Sequence, residues 1–505
     1  MGSSLKTYTV EELVKLGVLE KPLDGNHGGI HPKSSEFVAE GIPFIMASDM
    51  KNGKVDTKNC KFISEDQARG LRKGFAKEGD VLLSHKATIG RTAIVDNIDT
   101  DFIVLTPQVT YYRVKDLGVI NPKYLKYYFD SVKFQSLFEQ WAGGGSTRLY
   151  LGITGQMKLP IELPGIETQN SIASIISDYD LKLLLNRQTS QTLEKMAQAL
   201  FKSWFVDFDP VFDNLLASVD FNLDNLETSL PDELKQKAQR RLAALNSLHN
   251  AAECKASLSA LAHELQALSQ TKAPTPAAVQ VSEKAAETPV KPNFSANPKI
   301  LAQHANTHAH FPNEFEYNEQ LGWIPRGWKQ KYLSDLLEVK YGKDHKKLDD
   351  GKYPVYGSGG LMRYAESFLY EGESVLIPRK GTLSNIMHIN GSFWTVDTMF
   401  YTIPKVLKVA KFMFYHMKAL DFAAMNVGSA VPSMTTKVLN SLELLFPSVE
   451  VLCKFDRVIE DYFKKIDFNK VNINQLESLR DTLLPKLISG ELQIPDLANV
   501  SDNNI

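Results

Sequence analysis

The sequence predicts an α+β fold built from two mainly-β domains, each followed by a long helix, and three observations support this prediction. The segments 172–205 and 455–488 align without a gap at a separation of 283 residues, which indicates a duplicated domain rather than a solenoid repeat. Both segments carry apolar residues at alternating three- and four-residue steps, as in a coiled coil. Each is also preceded by short β-type runs punctuated by Gly, Pro and Asp.

Domain boundaries follow the changes of pattern along the chain. A helix is expected within the first half over Pro122 to Phe138. Between the halves, Leu230 to Ser269 has a helical composition, whereas the Pro/Ala-rich residues 271–298 are expected to be flexible. The predicted division is a first β domain at 1–166, a first long helix at 167–208, a partly helical spacer and exposed tether at 209–320, a second β domain at 321–449, a second long helix at 450–492 and a tail at 493–505.

The repeated spacing defines an apolar seam along each long helix. If the helices pair, each is roughly 34 residues long, or about 50 Å at 1.5 Å per residue. The residues expected to mediate helix pairing or partner docking are Tyr179, Asn186, Leu193, Trp204 and Phe205 in the first copy and Tyr462, Asn469, Leu476 and Leu483 in the second.

Both copies place an asparagine, Asn186 or Asn469, at the same seam position. A buried seam asparagine costs stability but fixes the register, because any other alignment leaves its amide unpaired. The alternative, in which both side chains are simply solvated, stays open at this point.

The charge distribution limits the classes of partner. A formal net charge of −2 argues against a protein that coats nucleic acid through bulk electrostatics. Charge is segregated along the chain, however, with acidic residues concentrated in 207–233 and basic clusters in 343–347 and at Arg379 and Lys380. A local basic groove is therefore compatible with the composition.

Compartment and catalysis are constrained by what the sequence lacks. Three widely separated cysteines and the missing apolar signal region fit a cytoplasmic protein, and no apolar run approaches the roughly 20 residues that span a bilayer. We find no phosphate-binding loop, dinucleotide fingerprint, HExxH, serine elbow or CxxC pair. His304, His308 and His310 have a spacing that could bind metal, but their low-complexity surroundings favour a linker. We therefore expect no catalysis by this chain alone and no metal site.

Each half instead contains Gly-flanked loops that carry basic and hydroxyl side chains. Such loops let the backbone approach a duplex, so that amides and hydroxyls meet phosphates while long side chains read base edges. Lys86 and Lys380 occupy matching places after their strands, although Gly and Lys are also common in ordinary surface turns. The residues expected to contact DNA are Ser84, His85, Lys86, Thr88, Arg91, Ser146, Thr147 and Arg148 in the first half, and Ser358, Arg379, Lys380, Thr382, Asn426 and Ser429 in the second.

Several long motifs resemble the DNA-specificity subunits of type I restriction-modification enzymes. ALFKSWFVDFDP at 199–210 is similar to the run that closes the first long helix of that family, and LESLRDTLLPKLISGEL at 476–492 is similar to its C-terminal helix. LGWIPRGWKQKYLSDL at 321–336 resembles the start of its second target-recognition domain. The first half lacks such a GW motif and begins instead with Tyr8-Thr-Val-Glu-Glu-Leu, which leaves its first strand undefined.

The resemblance implies two target-recognition domains held apart by two long antiparallel coiled-coil helices in a pseudo-twofold arrangement. It further implies that each domain reads one half of a bipartite, asymmetric site in double-stranded DNA, and that the helices set the gap and dock two methyltransferase subunits. S-adenosylmethionine, ATP and Mg would be bound by partner subunits, namely the methyltransferases and the restriction and translocase motors, and no cofactor would be bound by this chain.

A rival interpretation is a non-catalytic coiled-coil scaffold whose β domains bind protein or carbohydrate. It accounts for the slightly negative net charge. It does not account for the paired basic Gly loops or for the family motifs.

Overall fold

The chain forms two compact units, unit 1 from Met1–Thr189 with Phe468–Ile505 and unit 2 from Ser190–Asp467. The computed structural model describes residues 5–143, 149–226, 230–270, 302, 306–420, 422 and 434–492. Each long helix contributes residues to both units. The segment 271–298 and the tail 493–505 lie outside the described residues.

Unit 1 is built on a six-stranded sheet of order β2-β11-β8-β9-β5-β4, accompanied by a four-stranded sheet, β6-β3-β10-β7, and the pair β1-β12. Its elements are β1 Lys6–Thr9, α1 Val10–Lys15, β2 Leu23–Asp24, β3 Ile42–Ile45, β4 Met50–Lys51, β5 Gly53–Val55, β6 Lys61–Ile63, α2 Glu65–Arg69, β7 Phe75–Ala76, β8 Val81–Ser84, β9 Thr92–Ile94, β10 Ile103–Leu105, β11 Val109–Tyr112, α3 Pro122–Asp130, α4 Val132–Ala142, α5 Ile153–Gln156 and β12 Pro160–Leu163.

The helix expected over Pro122 to Phe138 is two helices, α3 and α4. Ser131 has an extended backbone and its hydroxyl accepts the Phe134 N–H, so it caps the N-terminus of α4 and separates it from α3. Both helices pack their aromatic faces into the unit 1 core, where Tyr124, Phe129 and Phe138 are fully buried.

Unit 2 contains a six-stranded sheet of order β16-β21-β19-β20-β17-β18 and the two-stranded pairs β13-β14 and β15-β22. Its elements are α7 Asp209–Ala217, α8 Asp232–Asn246, α9 Ala251–Gln270, β13 Phe315–Asn318, β14 Gly322–Pro325, β15 Lys329–Tyr332, α10 Leu333–Leu336, β16 Leu337–Tyr341, β17 Asp350–Gly357, β18 Gly360–Ala365, β19 Tyr370–Pro378, β20 Met387–Thr395, β21 Met399–Pro404, α11 Val409–Lys418, α12 Thr436–Asn440 and β22 Glu443–Phe446.

The two six-stranded sheets share the arrangement of their first four strands and differ at the far side, where β4 precedes β5 along the chain but β18 follows β17. In each, the first four strands are antiparallel neighbours and the fourth pairs in parallel with the fifth, as β9 does with β5 and β20 with β17. The pair β1-β12 likewise corresponds to β15-β22, since Lys6 opposes Leu163 and Lys329 opposes Phe446. The first strand left undefined by the sequence is therefore β1, the counterpart of β15.

The long helices are α6, Ile166–Phe205, and α13, Val449–Ser489, with 40 and 41 residues. Both exceed the 34 residues of the aligned repeat because each begins six residues before the aligned segment. Each helix starts directly after a proline-containing turn that follows β12 or β22. Every seam position predicted from the period is buried or half-buried, and none is exposed.

Within each unit the two helices run antiparallel. In unit 1, Arg480 of α13 pairs with Asp180 of α6 at 3.1 Å, and Arg187 pairs with Glu477. In unit 2, the end of α6 meets the beginning of α13, where Phe201 and Phe455 have ring centroids 6.1 Å apart.

The described part of the spacer is folded rather than an exposed tether. Helices α7 and α8 bury Phe212 and Leu234 in the same core as Trp328 of the second β domain. Asp213 accepts two hydrogen bonds from Arg241, at 2.7 and 2.8 Å, and lies 3.0 Å from His308 Nε2. Burial raises the pKa of Asp213, but the hydrogen bonds from Arg241 and His308 outweigh it and lower the pKa overall. These helices are an integral part of unit 2.

Candidate nucleic-acid interface

In each six-stranded sheet, three chain segments leave the strands at the same end of the sheet, which we call its loop edge. In unit 1, Ser84 at the end of β8 opposes Val109 at the start of β11, and Asp24 at the end of β2 opposes Thr110. The residues after β2, the loop after β8 and the residues before β11 therefore lie at the loop edge of this sheet. In unit 2 the loop edge carries the residues after β16, the loop after β19 and the residues before β21.

The loop after β8 is held by backbone hydrogen bonds on both sides. The Ser84 N–H donates to the Arg91 carbonyl and the Gly90 N–H donates to the Ser84 carbonyl, both at 2.8 Å. Ala87 has a φ of +66°, a left-handed conformation that is uncommon for a residue with a side chain. This conformation leaves Lys86, Ala87 and Thr88 exposed at the tip of the loop.

Lys86 is the exposed lysine at the tip of this loop. Its backbone forms a bridge with Tyr150, and its Nζ lies 5.8 Å from the centre of the Tyr150 ring. Arg91 is exposed as well, and its guanidinium donates to the Ala47 carbonyl at 3.0 Å. Lys86, Thr88 and Arg91 thus present side chains to solvent, as a DNA contact requires.

Ser84 and His85 lie beneath the loop and are fully buried. The Ser84 hydroxyl accepts the Arg91 N–H at 2.8 Å, and the His85 N–H donates to the Gln108 carbonyl at 2.9 Å. Burial lowers the pKa of His85 to about 4, so its ring is neutral at neutral pH. Both residues support the loop and do not present side chains at the surface, in contrast to the role expected from the sequence.

In unit 2 the loop after β19 has an equivalent anchorage. The Arg379 N–H donates to the Thr398 carbonyl at 2.8 Å, as His85 does to Gln108. The Arg379 guanidinium lies 5.4 Å from the centre of the Tyr341 ring. Lys380 and Thr382 are exposed at the tip of the loop, where Lys380 takes the place that Lys86 has in unit 1.

The Gly-rich turn 357–360 packs against this loop. Asn385 donates through its amide to the Ser358 carbonyl at 2.9 Å. A Cβ added to Gly381, whose φ is +87°, would lie 2.9 Å from the Ser358 hydroxyl. Ser358 is half-buried and contacts the loop after β19 through Asn385 and Gly381.

Five of the expected DNA contacts cannot be placed. Ser146, Thr147, Arg148, Asn426 and Ser429 lie outside the described residues.

The residues after β2 and β16 are the part of the loop edge that sequence reasoning missed. Gly25 and Gly342 follow these strands directly, and each approaches the chain before β11 or β21 so closely that a Cβ would meet a backbone oxygen at 1.9 or 2.0 Å. The available signal was a glycine followed by basic side chains after a short strand, at His27, His31 and Lys33 in one unit and in 343–347 in the other.

The residues expected to pair the helices lie where the period predicts. Trp204 and Phe205 are buried in the core of unit 2, and Tyr462 packs against that core. Asn469 is fully buried, and its amide donates to the Asn186 carbonyl at 3.3 Å, which rejects the solvated alternative for Asn469. The remaining positions, Tyr179, Leu193, Leu476 and Leu483, are half-buried.

Among the residues that the structure describes, no group of three or more His, Cys, Asp or Glu side chains is arranged to hold a metal ion. None of the described helices combines the length and the apolar character needed to cross a membrane.

Comparisons with known proteins agree with this architecture. The family model of the type I restriction modification DNA specificity domain matches residues 10–195 and 325–478. The HindI specificity subunit of Haemophilus influenzae is 25% identical over 489 residues, which cover 89% of this chain and 94% of the relative. The MjaIX specificity subunit of Methanocaldococcus jannaschii is 24% identical over 530 residues, which cover 98% and 96%.

A solved structure shares the fold. The S subunit of a type I restriction-modification system from M. genitalium aligns over 98% of this chain and 97% of its own, with a TM-score of 0.52 and 15% sequence identity. Because the family model matches more than half of the residues, with one long segment in each half, the chain belongs to the DNA-specificity subunits of type I restriction-modification enzymes, which recognise DNA and are not themselves catalytic.

Proposed function

We propose that each β domain reads one half of a bipartite, asymmetric DNA site, while α6 and α13 set the distance between the half-sites. The observation that carries this proposal is the shared arrangement of the first four strands in the two six-stranded sheets. Each sheet presents an exposed lysine, Lys86 or Lys380, on the loop between its third and fourth strands. Equivalent loops with different sequences suit the reading of two different half-sites.

The long helices also offer a surface for partner subunits. Because the seam positions are buried or half-buried within the helix pair, docking falls to the other helix faces. Large apolar side chains that are about half exposed there are Leu181, Leu185 and Met196 on α6 and Phe468, Val471 and Leu479 on α13. Exposed apolar side chains on a soluble helix suit a protein interface.

We assign this surface to two methyltransferase subunits. In the assembled enzyme these partners supply S-adenosylmethionine-dependent adenine methylation, and restriction and translocase motor subunits add ATP- and Mg-dependent translocation and cleavage. This chain supplies the choice of sequence.

The test replaces the loop lysines one at a time, as Lys86→Ala and Lys380→Ala, in the chain assembled with its methyltransferase partner. Each variant is expected to weaken specific binding, by about 1–3 kcal/mol if the lysine contacts a base edge. A phosphate contact would instead lower the slope of affinity against salt by about 0.9. Binding to a labelled duplex at several salt concentrations separates the two cases.

Matched controls are Lys115→Ala and Lys405→Ala. Both residues follow the second strand of their sheet, β11 or β21, at the end opposite the loop lysines. They should leave binding unchanged. Unaltered footprints and methylation in both loop variants would refute the proposal.

A further inference from the structure

We propose that the cleft between the residues after β2 and the Lys86 loop of unit 1 receives one DNA strand of the first half-site, with Lys33 on its backbone and Gln108 on a base edge. This inference rests on the proposed DNA-reading function and extends it to residues outside the loops recognised from the sequence. In it the Gln108 amide determines specificity and the wall that carries Lys33 binds the DNA strand.

The cleft has a volume of about 660 Å³, and three separate chain segments form its walls above a floor that includes Phe44 and Met46. One wall comes from 27–37, which follows β2, and the opposite side comes from Lys86. Thr106, Pro107 and Gln108, which precede β11, form the third wall. All three segments leave the six-stranded sheet at its loop edge, so the cleft opens where the loop lysine is presented.

The lining is basic and contains no carboxylate. His27, His31, Lys33 and Lys86 contribute to it, and no Asp or Glu does. Asp24 and Glu36 lie close to the cleft without lining it. Asp24 is buried and accepts hydrogen bonds from Lys73 and from His27, the latter at 2.8 Å. The charge of Asp24 is thus balanced by Lys73 and His27. Glu36 accepts the Lys33 backbone N–H at 2.6 Å. In a chain with a net charge of −2, an acid-free basic cleft selects a polyanion.

The interior of the cleft suits a nucleotide rather than an isolated phosphate. His31 and Phe37 pack against Phe44, with ring centroids 5.5 and 5.8 Å from the Phe44 ring. An aromatic floor beneath a basic rim is the combination that accommodates a base together with its backbone. Among the described residues, the buried hydroxyl of Thr106 and Nδ1 of His31 find no hydrogen-bond partner, as is common where a polar ligand completes a site.

Gln108 is the residue best suited to distinguish bases. Its side chain is exposed, while its carbonyl accepts the His85 N–H at 2.9 Å and so fixes its backbone beside the Lys86 loop. A glutamine amide both donates and accepts, which matches the N6 and N7 groups of adenine in the major groove. Lys33, a point charge on the rim, suits a phosphate.

The closeness of Gly25 to the chain before β11 fixes this geometry. The Gly25 N–H donates to the Thr106 carbonyl at 3.3 Å, and a Cβ at Gly25 would lie 1.9 Å from the Leu105 oxygen. The first residues of the cleft wall are therefore tied to the segment that carries Gln108. The start of the wall and the segment that carries the Gln108 amide are thus held in a fixed relative position.

The experiment uses the full chain assembled with its methyltransferase partner and sequences the methylated bases. Gln108→Ala should relax discrimination at one base pair of one half-site by about 10- to 100-fold and leave the other half-site unchanged. Lys33→Ala should lower the salt slope of binding by about 0.9 without changing the recognised bases. Gln108→Glu, nearly isosteric, adds a negative charge to the cleft and should weaken binding of the same duplex.

The outcomes separate the cleft from the general function. Unchanged binding and sequence in all three variants, together with a loss of binding in Lys86→Ala, would overturn the cleft and leave the proposed function standing. Equal relaxation of both half-sites by Gln108→Ala would also overturn it, because unit 2 does not contain this cleft. A control, Lys115→Ala, should behave as the wild type, and thermal unfolding should be equal in all variants.

Discussion

At the scale of single residues, Lys411 of α11 is a buried charge that is shared by three carboxylates. Its side chain is 3% exposed, and its Nζ lies 2.8 Å from Glu373 on β19 and 2.8 Å from each of Asp456 and Glu460 on α13. Burial lowers the pKa of Lys411, but the hydrogen bonds that it donates to these carboxylates outweigh it and raise the pKa overall. One cation thus joins the second recognition domain to the long helix of the same unit.

Replacing Lys411 with methionine should destabilise unit 2 by about 3 kcal/mol, because it removes the buried cation shared by three carboxylates. These carboxylates then keep His388 and the more exposed Lys408 and Lys464 as partners. Urea unfolding followed by tryptophan fluorescence measures the change. Lys464→Met is the matched control, since Lys464 also pairs with Glu460 but is 68% exposed. A similar, small effect of both substitutions would contradict the structural role of Lys411.

The same cluster predicts acid sensitivity. Burial raises the pKa of Glu373, but hydrogen bonds from His388 and Lys411 outweigh it and lower the pKa from 4.5 to about 2. A depressed folded pKa stabilises the protein above pH 4.5, and this stability is lost as the pH falls from about 4.5 towards 2. The loss should reach about 3 kcal/mol at most.

Urea unfolding at a series of pH values tests this. The stability difference between the wild type and Glu373→Gln should shrink as the pH drops through this window. Glu371→Gln, at an exposed neighbouring position of β19, should show no such trend. A constant difference for Glu373→Gln would rule out the linkage.

At the scale of elements, the antiparallel pairing of α6 and α13 in unit 1 depends on one polar seam position. Asn469 is fully buried, whereas Asn186, at the repeated position, is half-buried and offers its carbonyl to the Asn469 amide. A register shift would carry the Asn469 amide away from this carbonyl. The internal repeat is therefore asymmetric in its contacts even where the sequence repeats.

Asn469→Leu, alone or together with Asn186→Leu, should raise the free energy of unfolding by about 1 kcal/mol, because a buried polar side chain gives way to an apolar one. It should also weaken the selection of one helix register and so broaden the spacing between recognised half-sites. Melting and sequencing of methylated sites measure the two effects. Asn474→Leu, exposed on the same helix, is the control; unchanged melting and spacing in the seam variants would refute the register role.

At the scale of the whole molecule, the insertion between the two halves has two parts. The described helices α7 and α8 share the core of unit 2, and the Asp213–Arg241 pair joins them. The other part, residues 271–298, is rich in Pro and Ala and lies outside the described residues.

Deleting Lys272 to Asn297 should leave the recognised sequence unchanged, because a Pro/Ala-rich linker is expected to make no DNA contact. Sequencing of the methylated bases with the deleted chain tests this. By contrast, Phe212→Ala, at a side chain that is 1% exposed, should cost about 3–5 kcal/mol. Loss of target recognition on the deletion, with stability intact, would show that the linker takes part in reading.

Patterns local to the chain were predictable. The three- and four-residue period located the seam from Ile172 to Trp204, because a helix sets which side chains share a face. Because Lys86 and Lys380 each follow a strand, the sequence predicted that they occupy equivalent positions. The shared arrangement of the strands on either side of the two loops supports that equivalence. The fold of the spacer was not predictable, because the burial of α7 and α8 depends on Trp328, more than 80 residues further along the chain.

The sequence by itself determined the duplication, the two long helices and the basic loops, since these are periodic or local properties. Only the tertiary structure decided which loop residues reach solvent: it buries His85 through a hydrogen bond to Gln108 and exposes Lys86 beside it. It also decided that Gly25 draws the residues after β2 against the Lys86 loop to form the cleft. Strand pairing between distant segments fixes both outcomes, and no local pattern encodes which segments pair.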